Sequence, residues 1–397
     1  MVKYKVAIIG GGATGLLLAN LLSKDKFDIY VIEKNNKLGK KILASGNGKC
    51  NFTNINVKEN NYNNEFALKI VNRYNSNKTI SLFKKLGMLS KIDSEGRCYP
   101  YSESSNTVLD CLKEKLNYVK FMLDTEVKCI EKENNKYKLL CNKEYIIFDY
   151  VICCSGSLAS NLGSEKAYNY LSQLDIKTTS LKPSLVPLLV KEDISGLKGV
   201  RVKCKITLEN SKNDIVYEED GEVMFKDDAL SGIAVFNASS YINREKENYK
   251  IILDLFPGME SYELEKYLLE KYKMKLSLLK GLINDKLADY IYSKNFVKEE
   301  KEMSINQIKE VVKSLKYLEF LVTGSYPFKE AQVCSGGICV QEVTDNLELK
   351  KYPNVYVGGE LLDVDGVCGG YNLQFAWSSA MIVANNINLK VGINGEK

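Results

Sequence analysis

"YKVAIIGGGATGLLLANLLSKDKFDIYVIEKN" (residues 4–35) decides the fold. Val6 to Ile9 is a short apolar run of strand character, Leu16 to Leu22 reads as a helix, and Asp28 to Ile32 reads as a second strand ending at Glu33. Between the first strand and the helix, Gly10, Gly12 and Gly15 have the spacing G-x-G-x-x-G. Each glycine has a physical reason. Gly10 permits the tight turn, Gly12 lets the backbone approach a pyrophosphate, and Gly15 lets strand and helix pack closely. The helix N-terminus then turns its positive dipole end toward the phosphates. Ala13 and Thr14 lie in the same segment and join the candidate contacts. Glu33 stands where a carboxylate accepts hydrogen bonds from both hydroxyls of an adenosine ribose, and it repels a 2′-phosphate, which argues against NADP at this site. The strand, the helix, the second strand and the terminal acid together point to dinucleotide binding and leave NAD or FAD open.

The next segment separates these two. "KNNKLGKKILASGNGKCNFTN" (34–54) is rich in Gly, Asn, Lys and Ser, where a simple NAD domain proceeds to its next βα unit. A long polar loop suits an extended ligand, along which its backbone N–H groups can run. Its candidate contacts are Lys34, Lys40, Ser45, Gly46, Asn47, Gly48, Cys50 and Asn51.

Here the chain resembles the YhiN/BaiN-like flavoproteins, also called the aminoacetone oxidase family of FAD-binding enzymes. The resemblance begins in "GGGATGLLLANLL" and the loop 34–54. It continues in "SEGRCYPYSESSNTVLDCL" (94–112), "PSLVPLLVKEDISGLKGVRVK" (183–203), "LSGIAVFNASS" (230–240), "AQVCSGGICVQEV" (331–343) and "VYVGGELLDVDGVCGGYNLQFAWSSA" (355–380). These matches run in order along nearly the whole chain. They imply FAD as the cofactor and an FAD-dependent oxidoreductase as the activity. Cys334 and Cys368 stand where the family usually has Thr, and Lys226 to Ala229 replaces a Thr-rich turn.

The C-terminal segment fits an extended flavin independently of the family. Val355 to Val357 reads as a strand, and Gly359 and Glu360 form a turn where Glu360 meets the ribitol or the pyrophosphate. A helix with one continuous apolar face then opens at Gly370. Its first residues, Gly370, Tyr371, Asn372 and Leu373, offer free backbone N–H groups to the pyrimidine edge of the flavin ring. Two further segments reach the nucleotide in this reading: Ser155-Gly156 after the strand 150–154, and Val127, whose amide lies by the adenine.

The expected fold class is therefore α/β: a discontinuous Rossmann-like FAD-binding domain (1–187 and 326–397). Inserted into it are a small antiparallel, β-barrel-like domain (188–255 and 315–325) and a helical subdomain (256–314).

Composition narrows the chemistry. The chain has 397 residues and no His, which removes Ser-His-Asp triads and His-based metal sites. Its 11 Cys have no metal-type spacing and read as reduced thiols of a cytoplasmic protein. No stretch approaches the roughly 20 apolar residues of a membrane span. A second G-x-G-x-x-G is absent, so NAD(P)H is expected only as a transient co-substrate. The expected reaction is hydride transfer between flavin N5 and a small organic substrate, such as NAD(P)H-linked reduction of a C=C bond conjugated to a ketone. Alternatives are an O₂-using oxidase of an aminoketone or amine, a flavin-dependent partner in nucleic-acid modification, and a non-catalytic flavin binder. The expected partner is a small molecule, with neither nucleic acid nor membrane. No metal is expected. The catalytic acid, the substrate and the oligomeric state stay open; none of the 25 tyrosines is singled out as a proton donor.

Overall fold

A computed structural model describes residues 3–160, 168–242, 244 and 247–393. The chain divides into two compact units, Met1–Lys182 with Val333–Lys397, and Pro183–Gln332.

The first unit is built on a five-stranded sheet. Its strands run in the order Val355–Val357, Tyr150–Cys153, β1 (Tyr4–Ile9), β2 (Phe27–Ile32), Lys120–Met122. Every neighbouring pair is parallel. Parallel strands buried on both faces are near-continuous apolar runs, and Val6 to Ile9, Val151 to Cys153 and Val355 to Val357 are all buried. The helix α1 (Ala13–Leu21) follows β1 and packs on the C-terminal helix Tyr371–Lys390. Their far ends are tied by Asn388, whose amide donates to Leu21 O (3.0 Å) and whose Oδ1 accepts from Ser23 N–H (3.3 Å).

The C-terminal helix is buried on most of its circumference, from Phe375 through Ile387. Its Trp377 is fully buried, stacks edge-on to Phe83 at 5.1 Å and donates its indole N–H to Phe52 O at 2.8 Å. Two small antiparallel sheets complete the unit, one from Thr53–Asn54, Ser90–Ile92 and Arg97–Pro100, the other from Val127–Glu133, Lys136–Cys141 and Glu144–Phe148.

The second unit contains a closed six-stranded antiparallel barrel. Around the ring the strands are Leu188–Val190, Ala229–Ser231, Ile215–Phe225, Arg201–Glu209, Lys250–Asp254 and Leu318–Ser325. Closure removes the exposed edges an open sheet would present. Three helices follow the fifth strand in sequence, Ser261–Lys273, Asp285–Lys294 and Ile305–Lys316. The last begins with a capping box, in which Gln307 N–H donates to Ser304 Oγ (3.3 Å) and Ser304 N–H to Gln307 Oε1 (3.0 Å). A helix at Ile233–Ile242 interrupts the stretch 188–255, which alternation alone reads as strand. Its sequence, IAVFNASSYI, has no clear 3.6-residue period, so the sequence pattern does not reveal it. Among the described residues, no helix is long and apolar enough to cross a membrane.

Candidate functional site

The turn after β1 is compressed from one side and open on the other. Gly10 has φ +112°, and a Cβ there would lie 2.4 Å from Cys154 O, so the strand Tyr150–Cys153 and its following loop press directly on the turn. At Gly12 a Cβ would meet nothing within 4 Å among the described residues. Gly12 caps α1 without a side-chain hydrogen bond, and no acidic residue occupies the first turn. The helix N-terminus therefore carries its first-turn N–H groups and positive dipole without a side-chain cap, an environment suited to phosphate.

Glu33, 9% exposed, closes one end of this space. Its Oε2 accepts from Gly11 N–H (2.9 Å), and its Oε1 accepts from the backbone N–H (2.9 Å) and side-chain amide (2.7 Å) of Asn35. A carboxylate has about four acceptor positions, so capacity remains for a ligand hydroxyl. Thr125 N–H donates to Glu33 O, which sets the buried Val127 close by in the chain.

The loop 34–54 starts beside Glu33 and ends at the C-terminal helix. Burial lowers the Lys34 ammonium below its ordinary range, with Glu33 opposing that shift. Lys40 donates to Asn35 Oδ1 at 3.2 Å. Between Ser45 and Asn51 the backbone turns through left-handed conformations at Gly46, Asn47, Gly48 and Cys50. Cys50 is fully buried, and burial pushes its thiol up to about 11.

Loop and helix then meet. Asn54 donates to Gly369 O (3.0 Å), Thr53 bonds Gln374, and Tyr371 donates its hydroxyl to Asn56 O (3.2 Å). Gly370 has φ +95°, and a Cβ there would stand 2.7 Å from Asn51 Oδ1 and 2.8 Å from Thr53 O. Asn372 holds the preceding loop by a pair of bonds to Gly366, 2.8 Å to its N–H and 2.7 Å to its carbonyl. Leu373 follows on the first turn, half-buried.

The two glycine-rich segments converge although some 350 residues separate them. Thr14 Oγ1 lies 3.4 Å from Ala376 O, and a Cβ on Gly359 would lie 2.5 Å from Thr14 Oγ1. Next to Gly359, Glu360 Oε2 pairs with Lys41 Nζ at 3.3 Å. The same ammonium is 3.2 Å from both the carbonyl and the hydroxyl of Ser157, just past Ser155 and Gly156. Asn51 Oδ1 and Glu360 Oε1 are buried and have no hydrogen-bond partner among the described residues. Orphaned acceptors in a buried space call for a donor from outside the chain.

Thr14 and Lys41 thus lie against the turn at Gly359 and Glu360, and Asn51 and Asn56 against the start of the C-terminal helix. Sequence reading passed over Lys41, whose partners Ser157 and Glu360 lie 116 and 319 residues away. It also passed over Tyr168, a half-buried tyrosine whose buried hydroxyl has no hydrogen-bond partner among the described residues.

The model of the HI0933-like protein Rossmann domain matches residues 4–386. The chain is 30% identical over 400 residues to the 3-dehydro-bile acid delta(4,6)-reductase of Clostridium scindens, covering 95% of this chain and 97% of that protein. It is 28% identical over 401 residues to a ribosomal RNA dihydrouridine synthase of Haemophilus influenzae, covering 96% of this chain and 98% of the other. A protein of the same name from Escherichia coli is 27% identical over 406 residues, with 98% of both chains covered.

Proposed function

The chain belongs to the HI0933-like family of Rossmann-domain proteins, and on that footing we propose that this FAD-dependent oxidoreductase saturates a carbon–carbon double bond conjugated to a carbonyl group. One observation carries the reading: relatives that align along nearly the full chain are named for reductions of this bond type. A 3-dehydro-Δ4,6 bile acid holds its double bonds in line with a ketone. Uridine holds its C5–C6 double bond next to a ring carbonyl. In both, the carbonyl draws electrons from the bond and opens its far carbon to hydride.

The residues present fit FAD. The open space before Gly12 takes the pyrophosphate, Glu33 takes the ribose, and the orphaned oxygens of Asn51 and Glu360 await donors. Bound FAD supplies the hydride-transfer chemistry of its isoalloxazine ring. The chain's part is to bind and orient. The N-terminus of the helix Tyr371–Lys390, which carries no acidic residue in its first turn, favours negative charge on the ring edge set against it. The bonds from Thr53, Asn54 and Asn56 fix that helix start, so the donors are organised before any charge develops. Gly370 keeps the backbone close to Asn51, where a side chain would force the two apart. NAD(P)H serves as the reductant by transient docking.

Substrate size divides two readings. A small conjugated ketone is the first. RNA is the second, favoured by the two relatives named as ribosomal RNA dihydrouridine synthases and compatible with a net charge of +5. The test is anaerobic mixing of the yellow protein with NADH or NADPH, followed by a steroid dienone or by ribosomal RNA. We expect bleaching by one nicotinamide and recovery of colour with one substrate, accompanied by a gain of two hydrogens in that substrate. Recovery of colour only on admitting O₂, with neither substrate changed, overturns the reading.

A further inference from the structure

The C-terminal helix Tyr371–Lys390 buries an amide where a hydrocarbon would pack. Gln374, whose N–H closes the first turn on Gly370 O at 3.0 Å, is fully buried. Glutamine is mostly an exposed residue, and a buried one must find partners for its polar atoms. Gln374 finds them on two other segments as well as on its own helix. Its Oε1 accepts from the hydroxyl of Thr53, at the end of the loop 34–54. Its Nε2 donates to Tyr74 O at 2.8 Å and to Ser378 Oγ at 2.8 Å. Tyr74 ends the helix Glu65–Arg73. Both amide hydrogens are used within the chain, so Gln374 acts through its neighbours and has no donor left for a ligand.

Two more side chains extend this grip along one face. Trp377 and Ser378 stand three and four residues on, the spacing of neighbours on a helix. Trp377 donates to Phe52 O at 2.8 Å, and Ser378 Oγ to Tyr74 O at 2.7 Å. The next turn reverts to hydrocarbon: Ala380, Met381, Ile382, Val383 and Ala384 are all buried. Apolar burial is non-directional, so it fixes the face a helix hides and leaves its position along the axis soft. Hydrogen bonds hold only within a few tenths of an ångström of about 2.9 Å, so they fix that position. The directional bonds thus gather at one end of the helix, next to Gly370. There Asn51 Oδ1 is buried without a partner among the described residues, 2.7 Å from where a Cβ on Gly370 would lie.

We propose that Gln374 is a positioning residue that raises the reduction potential of the flavin by holding the helix N-terminus at a fixed distance from the ring. This rests on the FAD reading above. The dipole of a helix acts within its first turn, and a functional group must be held to about 0.5 Å to do its work. A helix start freed from Thr53 and Tyr74 favours negative charge on the ring edge less. Reduced FAD then loses affinity, whereas oxidised FAD, whose ring is neutral, keeps it.

The test is the two-electron midpoint potential of the FAD-loaded protein, measured against a reference dye, beside a thermal melt. Gln374→Met keeps the length of the side chain and removes all its hydrogen bonds, and Thr53→Val removes the donor to Oε1 alone. Each should weaken reduced relative to oxidised FAD roughly 5- to 10-fold, a fall of about 20–30 mV at about 30 mV per tenfold for two electrons. The double variant should fall no further than Gln374→Met, because both changes break one network. Ile382→Val, one turn beyond Ser378, loosens the same helix outside the grip; it should lower the melting temperature and leave the potential unchanged. A lower melting temperature with an unchanged potential in Gln374→Met and Thr53→Val overturns the proposal and leaves Gln374 a packing residue. An equal fall of potential in Ile382→Val overturns it too. Should Gln374→Met not fold, Thr53→Val against Ile382→Val decides. Wild-type protein that takes up no FAD overturns the cofactor reading, and the proposal with it.

Discussion

Gly12→Ala separates what the first turn does for the fold from what it does for the ligand. Gly12 has φ −90° and ψ −158°, a conformation open to any residue, and its Cβ would meet nothing within 4 Å among the described residues. The fold should therefore lose only the difference between Gly and Ala at an N-cap, about 0.5–1 kcal/mol. With a melting temperature moving by about 2–4 °C per kcal/mol in a unit of this size, the apoprotein should melt within about 4 °C of wild type. The ligand fares differently. Phosphate oxygens must come within about 3 Å of the α1 N–H groups, and a methyl group there holds them off. Losing one or two charge-assisted hydrogen bonds at about 1.5–3 kcal/mol each gives a loss of about 1.5–6 kcal/mol, or roughly 10-fold to more than 10,000-fold in Kd. Gly15→Ala is the contrast, because its Cβ would lie 2.0 Å from Gly10 O and must push strand and helix apart. That variant should lose at least about 3 kcal/mol of stability. The assay is a thermal melt of the apoproteins beside an FAD titration. A Gly12→Ala protein that binds FAD within threefold of wild type refutes the phosphate assignment. Equal melting losses in the two variants refute the division of labour between these glycines.

Further expectations can be checked with the same protein. Glu33→Ala should weaken FAD at least about tenfold, since it removes the ribose acceptor and frees the N–H groups of Gly11 and Asn35; equal affinity would remove the ribose role. Lys41→Met should cost about 1 kcal/mol of stability or less, because the pair with Glu360 is partly exposed, yet it should weaken FAD measurably by leaving Glu360 without its cation. Burial pushes the thiols of Cys50, Cys98 and Cys141 up to about 11, from 9.0 in an open chain. The unfolded chain then releases these protons first, so the stability they support is complete below pH 9 and is lost as pH rises toward 11. A denaturant midpoint that holds steady from pH 9 to 11 under reducing conditions would contradict this. At pH 8 a thiol reagent should react rapidly only with the half-buried Cys111, Cys339 and Cys368, and with all 11 thiols after unfolding.

The parts of the site that could be read from sequence are those whose physics is local. The strand, turn and helix at residues 4–21 announce themselves through glycine spacing and an apolar run, and so does the helix after Gly370. Glu33 follows from its position at the end of β2. Lys41 and Tyr168 carry no such signal. Lys41 is one of many lysines in a polar loop, and only its approach to Ser157 and Glu360 distinguishes it. Tyr168 is marked by a missing partner, a property that exists only after packing. The helix Ile233–Ile242 escaped because strand-like neighbours surround a segment without clear periodicity. Closure of the barrel depends on Leu188–Val190 pairing with Leu318–Ser325, a match over more than 120 residues that alternation in either strand does not encode.

The order of strands in the parallel sheet has a consequence for biosynthesis. Tyr150–Cys153 lies between β1 and Val355–Val357, two neighbours made far apart in the chain. On a translating ribosome the nascent sheet must wait, one edge bare, until Val355–Val357 emerges. The barrel draws all its strands from 188–325, so its ring can close while that wait continues. Nascent chains stopped before Val355 should therefore retain an exposed, chaperone-binding sheet edge although their barrel is already closed.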